Sequence, residues 1–180
     1  MRALFAAVAV AAAACAAPKV GPSPDGARQT MRIDTPTGEI DLNLASGSDA
    51  TAAKIAAPLE RVWALLPGVY DSLGIPIGSV NSARHLIGHS ALKIHQRLGG
   101  AYLSTYIDCG RSQIGESADS YDVVLTVYTQ VDSAAGGAQV VTSVDAVARP
   151  ATYSQGYSRC STKYVLEAMV VQLLKARLTS

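Results

Sequence analysis

The stretch Tyr121 to Val131, "YDVVLTVYTQV", constrains the fold of this chain more than any other. Tyr121, Val123, Leu125, Val127, Thr129 and Val131 fall on one side of an extended strand, and Val124, Thr126 and Tyr128 on the other. The segment "DSAAGGA" that follows supplies a hairpin connection, and Val140, Thr142, Val144 and Ala146 return with the same period. An antiparallel pair is therefore expected at the centre of the fold.

The cover is expected from two helices. In "KIAAPLERVWALLPGVYDSLGIPI" Pro58 suits the first helical position, and Leu59, Val62, Trp63, Leu66, Val69, Tyr70 and Leu73 recur at helical spacing. Gly74 followed by Ile75 and Pro76 is a stop signal. Pro67 inside the pattern removes a backbone hydrogen bond and predicts a kink or break. The last segment, "CSTKYVLEAMVVQLLKARLTS", offers Ser161 or Thr162 as a cap and a stripe of Leu166, Met169, Val170, Leu173 and Leu174, with Lys175 and Arg177 where the helix dipole favours cations.

The remaining pieces read mostly as strands. In "MRIDTPTGEIDLNL" the apolar Met31, Ile33, Ile40, Leu42 and Leu44 alternate with polar residues around a Thr-Pro-Thr-Gly turn. Thr51–Ala56 reads as extended, and "RHLIGHSALKI", with Gly88 in its middle, as a bulged strand. "GGAYLSTYIDCG" suits a strand or a short helix. Together these elements predict an α+β domain, an antiparallel sheet with a central-sequence helix and a C-terminal helix packed on one face.

The first residues, "MRALFAAVAVAAAACAAP", carry one cation, Arg2, ahead of an apolar run from Ala3 to Ala14, the pattern of a secretory signal peptide. That run is shorter than the roughly 20 residues a membrane span needs. Ala14-Cys15-Ala16 fits a signal-peptidase site, whereas Ala12-Ala13-Ala14-Cys15 resembles a bacterial lipobox with Ala12 where leucine is usual. The lipobox resemblance implies that Cys15 is the acylated, palmitate-bearing N-terminal residue of a lipoprotein in the cell envelope, facing the periplasm. The other cleavage implies a protein secreted to the periplasm. Residues 1–15 are thus read as a signal peptide ending at the lipidation site, 16–30 as a flexible tether rich in Pro and Gly, and 31–180 as one domain. Removal or acylation of Cys15 leaves Cys109 and Cys160, which an oxidising compartment would join as a disulfide.

Hydrophobic residues make up 49% of the chain, enough for one core. Its net charge is +1 with the cations dispersed, which leaves no footprint for nucleic acid. The expected partners are the membrane, through the lipid anchor, and a protein of the envelope.

An extended piece, then "AAPLERVWALL", then strands and a long final helix resembles the helix-grip plan of START-type ligand-binding domains and of the C lipoprotein of the outer-membrane β-barrel assembly machine. Ala57-Pro58-x-x-x-Val62-Trp63 and "SLGI" carry the likeness, with the cysteine pair outside it and pointing to an uncharacterised bacterial lipoprotein family. The first kinship implies a hydrophobic ligand in a cavity between sheet and helix, lined by Trp63, Leu66, Val123, Leu125 and Val127. The second implies a non-catalytic domain that works by protein contacts, which is the leading expectation.

Catalytic and metal motifs fare worse. His85, His89 and His95 have no Glu or Asp among them locally in the sequence, and on a strand they sit too far apart to share a metal, so solvated surface histidines are expected. "GHSAL" has Leu92 where a nucleophile elbow needs glycine, and Ser90-x-x-Lys93 lacks its companion motifs. Asp108, Glu116, Asp119 and Asp122 do not have EF-hand spacing. No enzyme, cofactor or metal is expected, and Tyr153 and Tyr157 are candidates to face a partner.

Overall fold

The computed structural model describes residues 28–35, 38–45, 51–152 and 156–180. The leader, Cys15, most of the tether and Tyr153 lie outside the described residues. The elements run β1 (Arg28–Thr35), β2 (Gly38–Ala45), β3 (Thr51–Ile55), α1 (Leu59–Ser72), β4 (Ser79–Asn81), β5 (Leu86–His95), β6 (Arg97–Leu98), β7 (Ala101–Tyr102), β8 (Ile107–Asp108), β9 (Arg111–Ser112), β10 (Gly115–Glu116), α2 (Ser117–Ser120), β11 (Tyr121–Ala134), β12 (Gly137–Pro150), β13 (Ser158–Thr162) and α3 (Val165–Thr179).

The expected hairpin is the spine. β11 and β12 pair antiparallel along their whole length, from Tyr121 opposite Pro150 to Ala134 opposite Gly137. β5 and then β4 extend the sheet on the β11 side, while β3 and β13 share the free edge of β12 and β8 follows β13. The fold is α+β, as the sequence indicates. β1 and β2 form their own hairpin with Met31 opposite Leu42 and Ile33 opposite Ile40, and β2 touches β12.

Both long helices lie on one side of the sheet, α1 against β11 and β12, α3 against β3 and β12, and each against the other. Val62, Leu66, Val69 and Tyr70 of α1 and Leu166, Val170 and Leu174 of α3 are fully buried there with Val123, Leu125, Val127 and Val140 from the strands. Burying a side chain of this size contributes roughly 1.5–3 kcal/mol, so this layer carries most of the stability.

Local chemistry sets the boundaries. Pro58 is the N-cap rather than the first helical residue, and its carbonyl accepts from the amides of Arg61 and Val62, both at 3.1 Å. The helix runs unbroken from Leu59 to Ser72 through Pro67, which lies on its exposed side. At the other end Ile75 N donates to Tyr70 O and Gly74 N to Asp71 O, both at 3.0 Å, with Gly74 at φ +68°. This is a Schellman stop, and it needs a residue that tolerates positive φ.

Two expectations are corrected in detail. The bulge in β5 lies at Ala91 rather than at Gly88: the register against β11 slips between Leu125 and Val127, and Ala91 takes φ +54°. Gly88 stays in register opposite Tyr128. The final helix begins at Val165 after Tyr164 in a left-handed conformation, because Ser161 and Thr162 are still pairing in β13 with Asp108 and Ile107. "GGAYLSTYIDCG" divides into β7, one 3₁₀ turn over Leu103–Thr105, and β8.

Candidate functional site

Four of the five residues expected to line a cavity are core. Leu66 has no exposed surface, and Val123, Leu125 and Val127 have 1% each, all within one continuous apolar cluster. Trp63 packs at the margin of that cluster, with its ring edge-on to His85 at 5.5 Å between centroids. The helix-facing side of the sheet at these positions is filled by side chains packed against each other.

Three hydroxyls inside this layer are hydrogen-bonded in a chain. The Tyr70 hydroxyl lies 3.0 Å from Thr129 Oγ1 and 3.2 Å from the Ile87 carbonyl, and Thr129 Oγ1 lies 3.0 Å from Thr142 Oγ1. Burial pushes the Tyr70 phenol above its ordinary range, partly offset by the Thr129 bond. The chain of hydroxyls ties α1 to the two central strands. Glu167, at the start of α3, is 2% exposed; its Oε1 accepts from Thr162 Oγ1 at 2.7 Å and its Oε2 has no partner. Burial raises its pKa, and the Thr162 bond lowers it part of the way back.

The cysteines behave as a structural pair. Cys109 and Cys160 form a disulfide that fastens the chain after β8 to β13, across a separation of 51 residues. The three histidines occupy separate surroundings. His85 Nε2 is 3.5 Å from Glu60, His89 Nδ1 is 2.8 Å from the Pro76 carbonyl, and His95 Nδ1 is 3.5 Å from Asp122. The acidic residues are likewise separate: Asp108 accepts from Gly110 N, Asp119 from Ser104 N and Oγ, and Glu116 pairs with Arg111. Among the described residues no set of three or more His, Cys, Asp and Glu side chains comes together as metal ligands. Ser90 and Lys93 lie along β5 rather than on a helix.

The opposite side of the sheet is different. His95, Asp122 and Arg149 stand side by side on β5, β11 and β12, since Asp122 is registered against both the others. The next row along the strands holds Lys93, Val124, Val147 and Arg159. Residues directly opposite on neighbouring strands share a face, so these rows form one surface. A cleft of about 260 Å³ opens there between Lys93, His95, Asp122, Arg149 and Tyr157. The Arg149 guanidinium sits 5.0 Å from the Tyr157 ring centroid, within cation–π range. Tyr157 is 47% exposed.

This surface is not legible in the sequence except for Tyr157. Asp122 and Arg149 are 27 positions apart and become neighbours only through the strand register. The usable signal is the polar residue at the outward position of each strand.

Comparison with protein-family models, with curated proteins and with solved structures finds no match for this chain.

Proposed function

We propose that this chain is a non-enzymatic domain of the cell envelope, exported by its leader and tethered to a membrane through lipid on Cys15, that works through protein contacts. The observation that carries the reading is the contrast between the two sides of the sheet. The helix-facing side, where a hydrophobic ligand would be held, has Leu66, Val123, Leu125 and Val127 locked in the core. The opposite side carries an open cleft with an exposed tyrosine and arginine, residue types favoured at protein interfaces. The Cys109–Cys160 disulfide supports export, because such bonds persist in oxidising compartments. The helix-grip resemblance and the placement in a lipoprotein family belong to the same proposal.

Native mass spectrometry of the protein purified from the envelope tests it. A chain carrying added acyl mass on Cys15 and a stoichiometric protein partner is the expected result. A co-purifying lipid or other amphiphile that is lost on Leu66→Trp, with no protein partner, overturns it in favour of a hydrophobic-ligand module.

A further inference from the structure

We infer that the cleft on the outer side of the sheet is a docking site for an extended acidic peptide segment of the partner. The inference rests on the reading above that the domain works by protein contacts, and it names the site and the chemistry.

Charge complementarity is the first argument. Lys93 and Arg149 line the cleft on its two sides, and Arg159 stands one strand beyond, opposite Val147. Asp122 is the one carboxylate in these two rows, and it is already engaged 3.5 Å from His95. An incoming carboxylate therefore meets cations on both flanks. Arg149 lies against the Tyr157 ring, which holds the guanidinium plane while leaving its in-plane N–H fork free for a carboxylate.

Spacing is the second. Lys93 and His95 are alternate residues of β5, so their side chains leave the sheet about 6.6 Å apart at roughly 3.3 Å per residue. Arg149 and Tyr157 face this row from the other side of the cleft. Alternate side chains of an extended peptide have this repeat too, so a segment with acidic residues at every second position runs in step with the β5 side and presents one of them to Arg149. The half-buried Val124 and Val147 between them give its intervening side chains an apolar floor.

The test is a titration of the purified full chain, labelled with ¹⁵N, with an eight-residue peptide of alternating Glu and Ser. The expected result is saturable shifts of the amides of Lys93, His95, Arg149, Tyr157 and Arg159. The Arg149→Ala/Arg159→Ala variant should bind at least tenfold more weakly, whereas Arg61→Ala, on the exposed side of α1, should bind as the parent does. A peptide of alternating Lys and Ser should give no shifts. Absence of shifts with the acidic peptide overturns the inference, as does equal weakening by Arg61→Ala. Binding of phosphatidylglycerol vesicles at these residues without peptide binding also overturns it, in favour of a membrane surface. A photocrosslinker separates the two levels: a partner that crosslinks from position 61, on the exposed side of α1, and not from 157 leaves the contact reading standing and removes this site.

Discussion

Thr162 Oγ1 stands 2.7 Å from Glu167 Oε1, while the other carboxylate oxygen of Glu167 is buried with no partner. A single hydrogen bond thus meets a group that would accept several in water. Burial raises the pKa of Glu167 in the folded protein above the ordinary glutamate value. Between those two values the folded chain holds a proton that the unfolded chain has released. Stability contributed by this group is therefore complete below the ordinary value and is lost as pH rises through the raised one. Glu167→Gln keeps an acceptor for Thr162 and removes the charge. Thermal melts should show the variant more stable than the parent near neutral pH, with the difference vanishing as pH falls below the ordinary glutamate value. A difference that is flat across this range would show that Glu167 titrates as it does in the unfolded chain.

The bulge in β5 makes a second expectation. Ala91 sits at φ +54°, and its amide donates to Thr126 Oγ1 at 3.2 Å across the slipped register. A left-handed conformation costs a non-glycine residue roughly 1–2 kcal/mol, and the Thr126 hydroxyl replaces the ladder partner that the bulge removes. Ala91→Gly should raise the urea midpoint, stabilising by about 0.5–1 kcal/mol. Thr126→Val leaves the Ala91 amide unpaired in a half-buried place and should destabilise by about 1–3 kcal/mol. Opposite signs for the two variants are the outcome that distinguishes a built bulge from a tolerant strand.

The disulfide gives the third. Cys109 and Cys160 lie 51 residues apart, and a loop of this length corresponds to about 4 kcal/mol in the chain-entropy account. The Cys109→Ser/Cys160→Ser variant should lose about that much in denaturant titrations, and reductant should bring the parent to the same midpoint while leaving the variant unmoved. A parent insensitive to reductant would mean that the bond is not formed in the purified protein.

What the sequence disclosed and what it hid divide along physical lines. Val123, Leu125 and Val127, or Leu166, Val170 and Leu174, announce their buried side through periodicity, because the period is local and needs no partner. Cys109 and Cys160 are paired by elimination. The outer cleft is hidden for the opposite reason: His95, Asp122 and Arg149 acquire a common address only when three strands are in register. The start of α3 lies beyond its local cap pattern: Ser161 and Thr162 satisfy that pattern but are claimed by pairing with β8, a non-local contact that outweighs a local preference.

Gly88 shows how the same register fixes a residue whose local pattern suits a bulge. It lies opposite Tyr128, whose ring is laid across it and is 1% exposed. A Cβ on Gly88 would run into the Val127 carbonyl oxygen and come within 2.5 Å of the Tyr128 ring. A ring can turn aside, whereas a carbonyl held in the β5–β11 ladder cannot move without breaking its pairing. Gly88→Ala is therefore expected to destabilise by about 1–3 kcal/mol or more, and part of that loss should survive in the Tyr128→Ala background, where the ring is gone and the carbonyl remains. Urea titrations of the parent, both single variants and the double variant measure the two parts. If Gly88→Ala is without effect once Tyr128 is truncated, the ring alone makes glycine necessary, and the ladder at Val127 is looser than its geometry implies.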